Sequence, residues 1–252
     1  MFSPNSKRSA SLKIKVTDLP SGLLLLDKPS GVTSFDCVQV AKRRLGAARA
    51  GHCGTLDPAA RGLLLILVGS ATRHQDSFLG LEKEYWFRSE LGVKTSTGDR
   101  QGETIEARPP DHVTRETLEN VLPSFVGNME QTPPRYSALK YKGKPYYYYA
   151  RKGLDVPRAP RAVSILSLSL LSFRLPFWEA RVVCSRGTYV RTLVEDVAER
   201  LKTCGTLVEL IRERIGTYRR DDALAWEELR TMDVGRLRQS LQAPLVVVPL
   251  HA

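Results

Sequence analysis

The segment Gly51–Pro58, Gly-His-Cys-Gly-Thr-Leu-Asp-Pro, places one carboxylate in a glycine-rich turn. Its two glycines permit backbone angles that side chains disfavour, and they let a bulky ligand approach the main chain. Pro58 fixes the backbone just after Asp57 and biases that residue toward an extended conformation. A carboxylate held in this way can serve as a nucleophile or a general base. The alternative is an ordinary Asp-Pro turn, in which Thr55 or Asp57 bonds to nearby backbone amides.

A second polar segment, Cys184–Arg191, has the sequence Cys-Ser-Arg-Gly-Thr-Tyr-Val-Arg. Apolar residues follow at helical spacing, so Arg191 is expected in the first turn of a helix. A cation at that position opposes the helix dipole, and a nearby anion would explain its presence. Its partner is either Glu195, in an exposed pair worth roughly a few tenths of a kcal/mol, or Asp57, or an RNA phosphate.

Residues 135–161 combine positive charge with aromatic side chains, and eight cations face the single acid Asp155. Cations neutralise phosphates while aromatic faces stack on unpaired bases, so the segment suits folded or single-stranded RNA. The alternative is a strand whose alternate tyrosines pack on a core and whose lysines face solvent. The candidate RNA-binding residues are Lys140, Lys142, Lys144, Arg151 and Lys152.

The surrounding pattern predicts the elements that position these segments. Leu23–Leu26 is typical of a buried strand, and Thr33 with Asp36 predicts the start of a helix that ends at Gly46. Strand-like runs follow at 63–68, 84–91, 163–173 and 179–184, with helices at about 114–122, 188–203 and 224–230. This mixture predicts an α+β fold with a mixed, mostly antiparallel sheet flanked by helices. The run at 63–68 follows Asp57 closely, so strand packing should fix the turn.

Composition narrows the class of partner. The chain has 252 residues and 42% hydrophobic content, enough for a full core. Its 38 Lys and Arg against 27 Asp and Glu give a net charge of +11, which favours a polyanionic partner, nucleic acid first. The alternative is that the charge only aids solubility. Four widely separated cysteines, without a secretory segment or an apolar run of membrane length, predict a cytoplasmic protein with reduced thiols and no metal site.

Five segments together resemble the TruB-type tRNA pseudouridine synthases: residues 24–34, 51–62, 83–85, 136–161 and 184–193. The similarity runs from about residue 20 to 220. The pairing of Gly-His-x-Gly-Thr-Leu-Asp-Pro with Cys-Ser-x-Gly-Thr-Tyr-x-Arg is highly specific, whereas Lys-x-Tyr alone is weak. The resemblance implies an enzyme that flips uridine 55 out of the T-loop of tRNA and isomerises it to pseudouridine, without metal or cofactor.

The resemblance also implies roles for individual residues. Asp57 resembles the catalytic nucleophile, Tyr85 the tyrosine that stacks on the target base, and Arg191 the ion-pair partner of the aspartate. Three further positions resemble substrate-binding residues: His52, which orders the loop and the flipped nucleotides, and Tyr189 and Leu210 in the pocket. The basic tyrosine-rich stretch resembles the mobile thumb that closes over the RNA stem-loop. Whether Asp57 first attacks the base, attacks the sugar C1′ or removes a sugar proton stays open.

Two positions depart from the family pattern. Arg61 stands where the family usually has a small hydroxyl residue, and Cys53 replaces the usual threonine of the His-x-Gly turn. Arg61 would either clash with the turn or add a phosphate contact. The local geometry of the turn therefore needs to be observed directly.

The expected division is a basic flexible arm at 1–19, a catalytic domain at 20–235 with a thumb-like insertion at about 130–161, and a short tail at 236–252 without a PUA domain. A transit peptide is the alternative for the arm. The expected partner is the T-arm stem-loop of tRNA, with no membrane and no obligate protein partner, for a monomer. Two other functions stay open: a guide-RNA-directed relative, and a non-catalytic protein that binds or folds tRNA. The joint presence of Asp57, Tyr85 and Arg191 argues against the latter.

Overall fold

A computed structural model of the chain describes residues 20–244. The expected arm at 1–19 and the last residues of the expected tail, 245–252, lie outside this range. The strands are β1 Gly22–Lys28, β2 Ala50–His52, β3 Arg61–Val68, β4 Lys83–Leu91, β5 Val93–Thr95, β6 Thr104–Ala107, β7 Gly127–Gln131, β8 Lys140–Tyr141, β9 Lys144–Pro145, β10 Arg161–Arg174, β11 Phe177–Cys184, β12 Gly205–Ile215, β13 Tyr218–Arg219 and β14 Leu224–Ala225. The α-helices are α1 Ser34–Leu45, α2 Gln75–Leu79, α3 Arg115–Val121, α4 Tyr146–Ala150, α5 Val190–Arg200, α6 Trp226–Thr231 and α7 Val234–Gln239.

Ten strands form one twisted sheet in the order β14-β1-β3-β12-β4-β11-β10-β7, with β2 paired to β3 and β13 paired to β12. Two small hairpins, β5-β6 and β8-β9, lie outside it. The pairs β1-β14 and β3-β12 are parallel, and the other pairs of the sheet are antiparallel. The predicted α+β fold with a mixed, mostly antiparallel sheet is confirmed.

The centre of the sheet depends on one glycine. Strands β3 and β12 pair only where Arg61 and Gly62 meet Ile211 and Arg212. Gly62 has a φ of +109°, and a Cβ atom there would lie 2.3 Å from the backbone oxygen of Arg212. No larger residue fits without moving the strands apart. This contact brings the end of the Asp57 turn against the middle of β12.

Helix α1 forms as its sequence predicts. Thr33 and Asp36 form a reciprocal capping box, and Gly46 ends the helix in the left-handed conformation. Its apolar face packs with α6 and α7 on the β1 and β3 end of the sheet, while α5 packs on β12. The N-terminus of α1 is thereby fixed beside the Asp57 turn.

The other predicted elements are also found: β3, β4, β10 and β11 match the strand-like runs, and α3, α5 and α6 match the helices. Strand β12, which has no counterpart in the prediction, carries four charged residues and two register irregularities that break its alternation. Helix α7 crosses the expected boundary at residue 235. Its Leu237 is fully buried, and the backbone of Gln242 exchanges two hydrogen bonds with Leu23.

Candidate active site and RNA-binding surface

The turn that carries Asp57 is anchored on the first turn of α1. The hydroxyl of Ser34 donates to the carbonyl of Leu56 over 3.0 Å and accepts from the backbone N–H of Leu56 over 2.9 Å. The amide of Gly31 donates to the carbonyl of Pro58 over 2.8 Å. The turn is therefore held by its backbone, and the Asp57 side chain is left for other contacts.

The carboxylate of Asp57 pairs with Arg191. The distance from Nε of Arg191 to Oδ2 of Asp57 is 2.9 Å, and the arginine side chain is only 4% exposed. Its other two nitrogens donate to the carbonyls of Thr97 and Tyr136, each over 2.9 Å. Glu195 forms no ion pair with it in the described structure. Of the three partners left open by the sequence, Asp57 is the one observed.

The ionisation of Asp57 is set by opposing effects. Burial raises the pKa of its carboxyl above the ordinary value, the Arg191 guanidinium lowers it, and Asp99 raises it. The Asp57 side chain keeps 38% of its surface exposed, and water at that surface limits the effect of burial. The ion pair favours the ionised form, and a raised pKa makes the carboxylate more basic than an aspartate in free solution.

Asp57 lines a cavity of about 830 Å³ together with Tyr85, Tyr189 and Leu210. Tyr85 and Leu210 are each 9% exposed and lie on the adjacent strands β4 and β12. Burial raises the pKa of Tyr85, so its hydroxyl stays neutral at physiological pH. The cavity thus unites a carboxylate, an aromatic ring and an apolar side chain from three separate parts of the sequence.

A second cavity, of about 650 Å³, is also lined by Asp57. His52, Phe35, Tyr147 and Arg151 contribute to its wall. Burial lowers the pKa of His52, which favours the neutral ring, and its Nδ1 is buried without a hydrogen-bond partner. Among the predicted RNA-binding cations, Arg151 alone lines a described cavity; the four lysines lie outside both.

Arg212, which the sequence did not single out, lies beneath the Asp57 turn. It is 1% exposed, and it donates to the carbonyl of Leu63 over 2.7 Å and to that of Gly54 over 3.1 Å. Its positive charge also acts on Tyr85, because it opposes the rise in the pKa of that hydroxyl that burial causes. One buried cation therefore links the glycine turn to strand β3.

Two buried lysines support the same region. Lys28 donates to the carbonyls of Val32 over 2.6 Å and Pro58 over 3.3 Å, and burial lowers its pKa to about 8. Lys83 donates to the carbonyl of Leu79 over 2.7 Å, and burial lowers its pKa to about 8 as well. Both ammonium groups are bonded to backbone carbonyls near the turn.

The two departures from the family pattern have simple structural accounts. Arg61 forms an ion pair with Glu209 on the neighbouring strand, so it neither clashes with the turn nor points into the cavity. Cys53 is fully buried in the core, and burial raises the pKa of its thiol to about 12. Its side chain acts as a small apolar residue.

The tyrosine run at 146–149 forms the short helix α4, and its members divide between two roles. Tyr146 is buried, and its hydroxyl donates to the carbonyl of Pro157 over 3.2 Å. Tyr147 and Tyr148 are 41% and 37% exposed. The alternative of a strand with alternate tyrosines was wrong, because the run is helical and its side chains point in successive directions around the helix. Its expectation that some tyrosines pack inward is confirmed by Tyr146.

The cations around α4 lie against aromatic rings. Lys142 lies 5.5 Å from the ring centre of Tyr141, and Lys152 lies 4.6 Å from that of Tyr148. Between residues 20 and 244, none of the five predicted RNA-binding cations forms an ion pair; they are Lys140, Lys142, Lys144, Arg151 and Lys152. Their charge is not neutralised by acids of the described chain.

Residues 20–244 contain no cluster of three or more His, Cys, Asp or Glu side chains suited to a metal ion. None of the helices in that range is long and apolar enough to cross a membrane.

Residues 42–190 match the family model described as TruB family pseudouridylate synthase, N-terminal domain. The chain is similar to tRNA pseudouridine synthase B of Aromatoleum aromaticum, with 46% identity over 91% of the chain and 74% of the relative. It is 42% identical to the same enzyme of Geobacillus kaustophilus, over 91% of the chain and 83% of the relative.

Among solved structures, the chain is similar to one in a Cbf5-Nop10-Gar1 complex, with a TM-score of 0.70 and 25% identity over 90% of the chain. A chain of an archaeal box H/ACA sRNP Nop10-Cbf5 complex has a TM-score of 0.66 at 22% identity, over 91% of the chain, and shows the same fold. The present chain spans 61% and 62% of the length of those two chains.

Proposed function

The chain belongs to the TruB family of pseudouridylate synthases, and we propose that it converts uridine 55 in the T-loop of tRNA to pseudouridine with Asp57 as the nucleophile. Its relatives at 46% and 42% identity are tRNA pseudouridine synthases. The observation that carries the proposal is the ion pair between buried Arg191 and the partly exposed Asp57 at the wall of the larger cavity. A guide-RNA-directed relative is less well supported, because identity to the Cbf5 chain is only 25%.

The larger cavity suits a nucleotide that has left its stack. Flipping a base costs a few kcal/mol of lost stacking, which replacement contacts must offset. Tyr85 offers an aromatic face and Leu210 an apolar one. His52 lines the second cavity together with Asp57 and can offer a further stacking face to the flipped nucleotides.

The reaction exchanges one bond between the sugar and the base for another. The bond from N1 to C1′ breaks, the uracil turns within the cavity, and a bond from C5 to C1′ forms. The proton of C5 leaves and N1 gains a proton, so no co-reactant is needed. Asp57 provides the ionised oxygen for this exchange, and Arg191 fixes the direction of that oxygen through its planar guanidinium.

The thumb segment supplies affinity. Its unpaired cations can neutralise phosphates, and Tyr147 and Tyr148 expose aromatic faces to unstacked bases. Tyr147 and Arg151 also line the second cavity, so the segment joins the RNA-binding surface to the active site.

The proposal can be tested with T-arm transcripts that carry tritium at C5 of one uridine. We expect tritium release from the label at position 55 and none from a label elsewhere in the arm. A transcript with cytidine at position 55 controls for release at other sites. Release from another uridine, or no release from position 55, would contradict the assigned target.

A further inference from the structure

The cavity that contains Asp57 has two arginines at its rim, Arg161 and Arg186. Arg161 is the first residue of β10, and Arg186 lies in the turn between β11 and α5. The backbone amide of Ser185 donates to the carbonyl of Ser164 over 2.8 Å, which holds this turn against β10. The two guanidinium groups therefore come from neighbouring parts of one wall.

Neither arginine side chain has a polar partner in the described structure. Both are exposed, and neither guanidinium forms a hydrogen bond or an ion pair within residues 20–244. Two other arginines of the sheet have acidic partners: Arg61 pairs with Glu209 and Arg181 with Glu213. An exposed cation alone would be an ordinary solvated residue.

The excess of positive charge along this wall of the cavity favours the binding of an anion. Lys83 and Arg212 line the same cavity, and the positive charges of Arg212 and Arg186 add to burial in lowering the pKa of Lys83. Asp57 is the one acidic residue among the described residues that line this cavity, and its carboxylate is already paired with Arg191. Excess positive charge beside a nucleotide cavity is the electrostatic environment that a phosphate prefers.

We propose that Arg161 and Arg186 bind the phosphodiesters that flank the target uridine, an inference that rests on the proposed function. When C1′ of a flipped uridine reaches Asp57, its 5′ and 3′ phosphates must lie at the mouth of the cavity, because the same sugar carries both. A guanidinium can hold a phosphate with two parallel hydrogen bonds. Contacts made to the flipped backbone hold the reacting sugar in place.

The test uses Arg161→Gln and Arg186→Gln, with Arg174→Gln as the matched control. Arg174 ends the strand that Arg161 begins, is also exposed and unpaired in the described structure, and lines neither cavity. The two lie thirteen residue steps apart along the strand, a distance of roughly 40 Å. We expect kcat/KM on T-arm RNA to fall about tenfold for each rim variant and to be unchanged for Arg174→Gln. The salt slope of binding should fall by about one per rim arginine.

A neutral methylphosphonate at the linkage 5′ or 3′ to the target uridine identifies the phosphate. When the contacted linkage is neutralised, kcat/KM of the wild-type enzyme should fall about tenfold. For the matching rim variant, kcat/KM on the neutralised RNA should equal its value on unmodified RNA, because the contact is already missing. Independent, multiplicative losses at both linkages, or rim variants that behave like Arg174→Gln, would overturn the inference. Wild-type turnover on unmodified RNA is measured in parallel, so a failure of the proposed function is seen separately.

Discussion

The surroundings of the Asp57 turn and the segment 135–161 both contain several positively charged side chains. These side chains are buried around the turn and mostly exposed in the segment. Around the turn, Lys28, Arg191 and Arg212 are almost fully buried and donate to backbone carbonyls. In the segment, Lys142, Lys144 and Lys152 lie in solvent against tyrosine rings, and none of the segment's lysines has an acidic partner in the described structure. Positive side chains therefore fix the geometry of the Asp57 turn, whereas those of segment 135–161 stay free to change partners.

Burial explains the difference. If a buried cation moves, its charge and the backbone carbonyls it bonded lose their partners, which strongly destabilises the fold. The geometry of such a cation is therefore hard to change. A cation over an exposed ring gains only about 0.5–1 kcal/mol and can exchange the ring for a phosphate. Rigidity beside Asp57 suits chemistry, and a weakly held surface suits closure over RNA.

The largest expected effect on stability comes from Arg212→Met. The variant leaves the carbonyls of Leu63 and Gly54 without a donor, so we expect a loss of about 3 kcal/mol in the free energy of unfolding. Denaturant unfolding measures it. Lys144→Met is the control from the exposed region and should change the same quantity by less than about 0.5 kcal/mol. Equal losses in the two variants would mean that the buried cation contributes no more to stability than the exposed one, which would contradict the comparison.

A smaller effect, on rate, is expected for Arg191→Lys. Lysine keeps the charge but cannot hold Asp57, Thr97 and Tyr136 with one planar group, so the single-turnover rate should fall at least about tenfold, or ~1.4 kcal/mol of barrier. Glu195→Gln, one helical turn away, should stay close to wild type. A near wild-type rate for Arg191→Lys, or the same loss in both variants, would make Arg191 a residue of the fold alone.

The smallest effect is expected in the exposed region, for the triple variant Lys140→Gln, Lys142→Gln, Lys144→Gln. Fewer neutralised phosphates should weaken T-arm binding roughly fivefold and reduce its salt slope by about two. The single-turnover rate at saturating RNA should change less than about twofold. Binding measured at several salt concentrations checks this, with the triple variant Arg115→Gln, Arg174→Gln, Arg230→Gln as a control for net charge. An unchanged slope would mean that these lysines do not contact phosphates.

Local sequence predicted the parts of the site that local chemistry determines. Glycine and proline define the Asp57 turn, Thr33 and Asp36 start α1, and helical spacing places Arg191 in the first turn of α5. The partner of Arg191 could not be chosen from spacing, because residue 57 approaches it only after the sheet has formed.

Features that arise from pairing between distant strands were not predicted. Arg212 resembles a solvated position within a charged run, yet the close approach at Gly62 buries it under the turn. The tyrosine run was ambiguous for a related reason, since four adjacent aromatic residues fit a strand or a helix until their neighbours are known. The assignment of roles to Tyr85, Tyr189 and Leu210 came from family resemblance.

Asp57 as the nucleophile is tested most directly by Asp57→Asn. The asparagine keeps the size of the side chain but removes the charge that pairs with Arg191. Tritium release from 5-labelled uridine 55 and T-arm binding are measured on the same preparation. We expect no detectable tritium release, with a Kd within a few fold of wild type. Release at the wild-type rate would remove Asp57 from the chemistry and contradict the proposed mechanism.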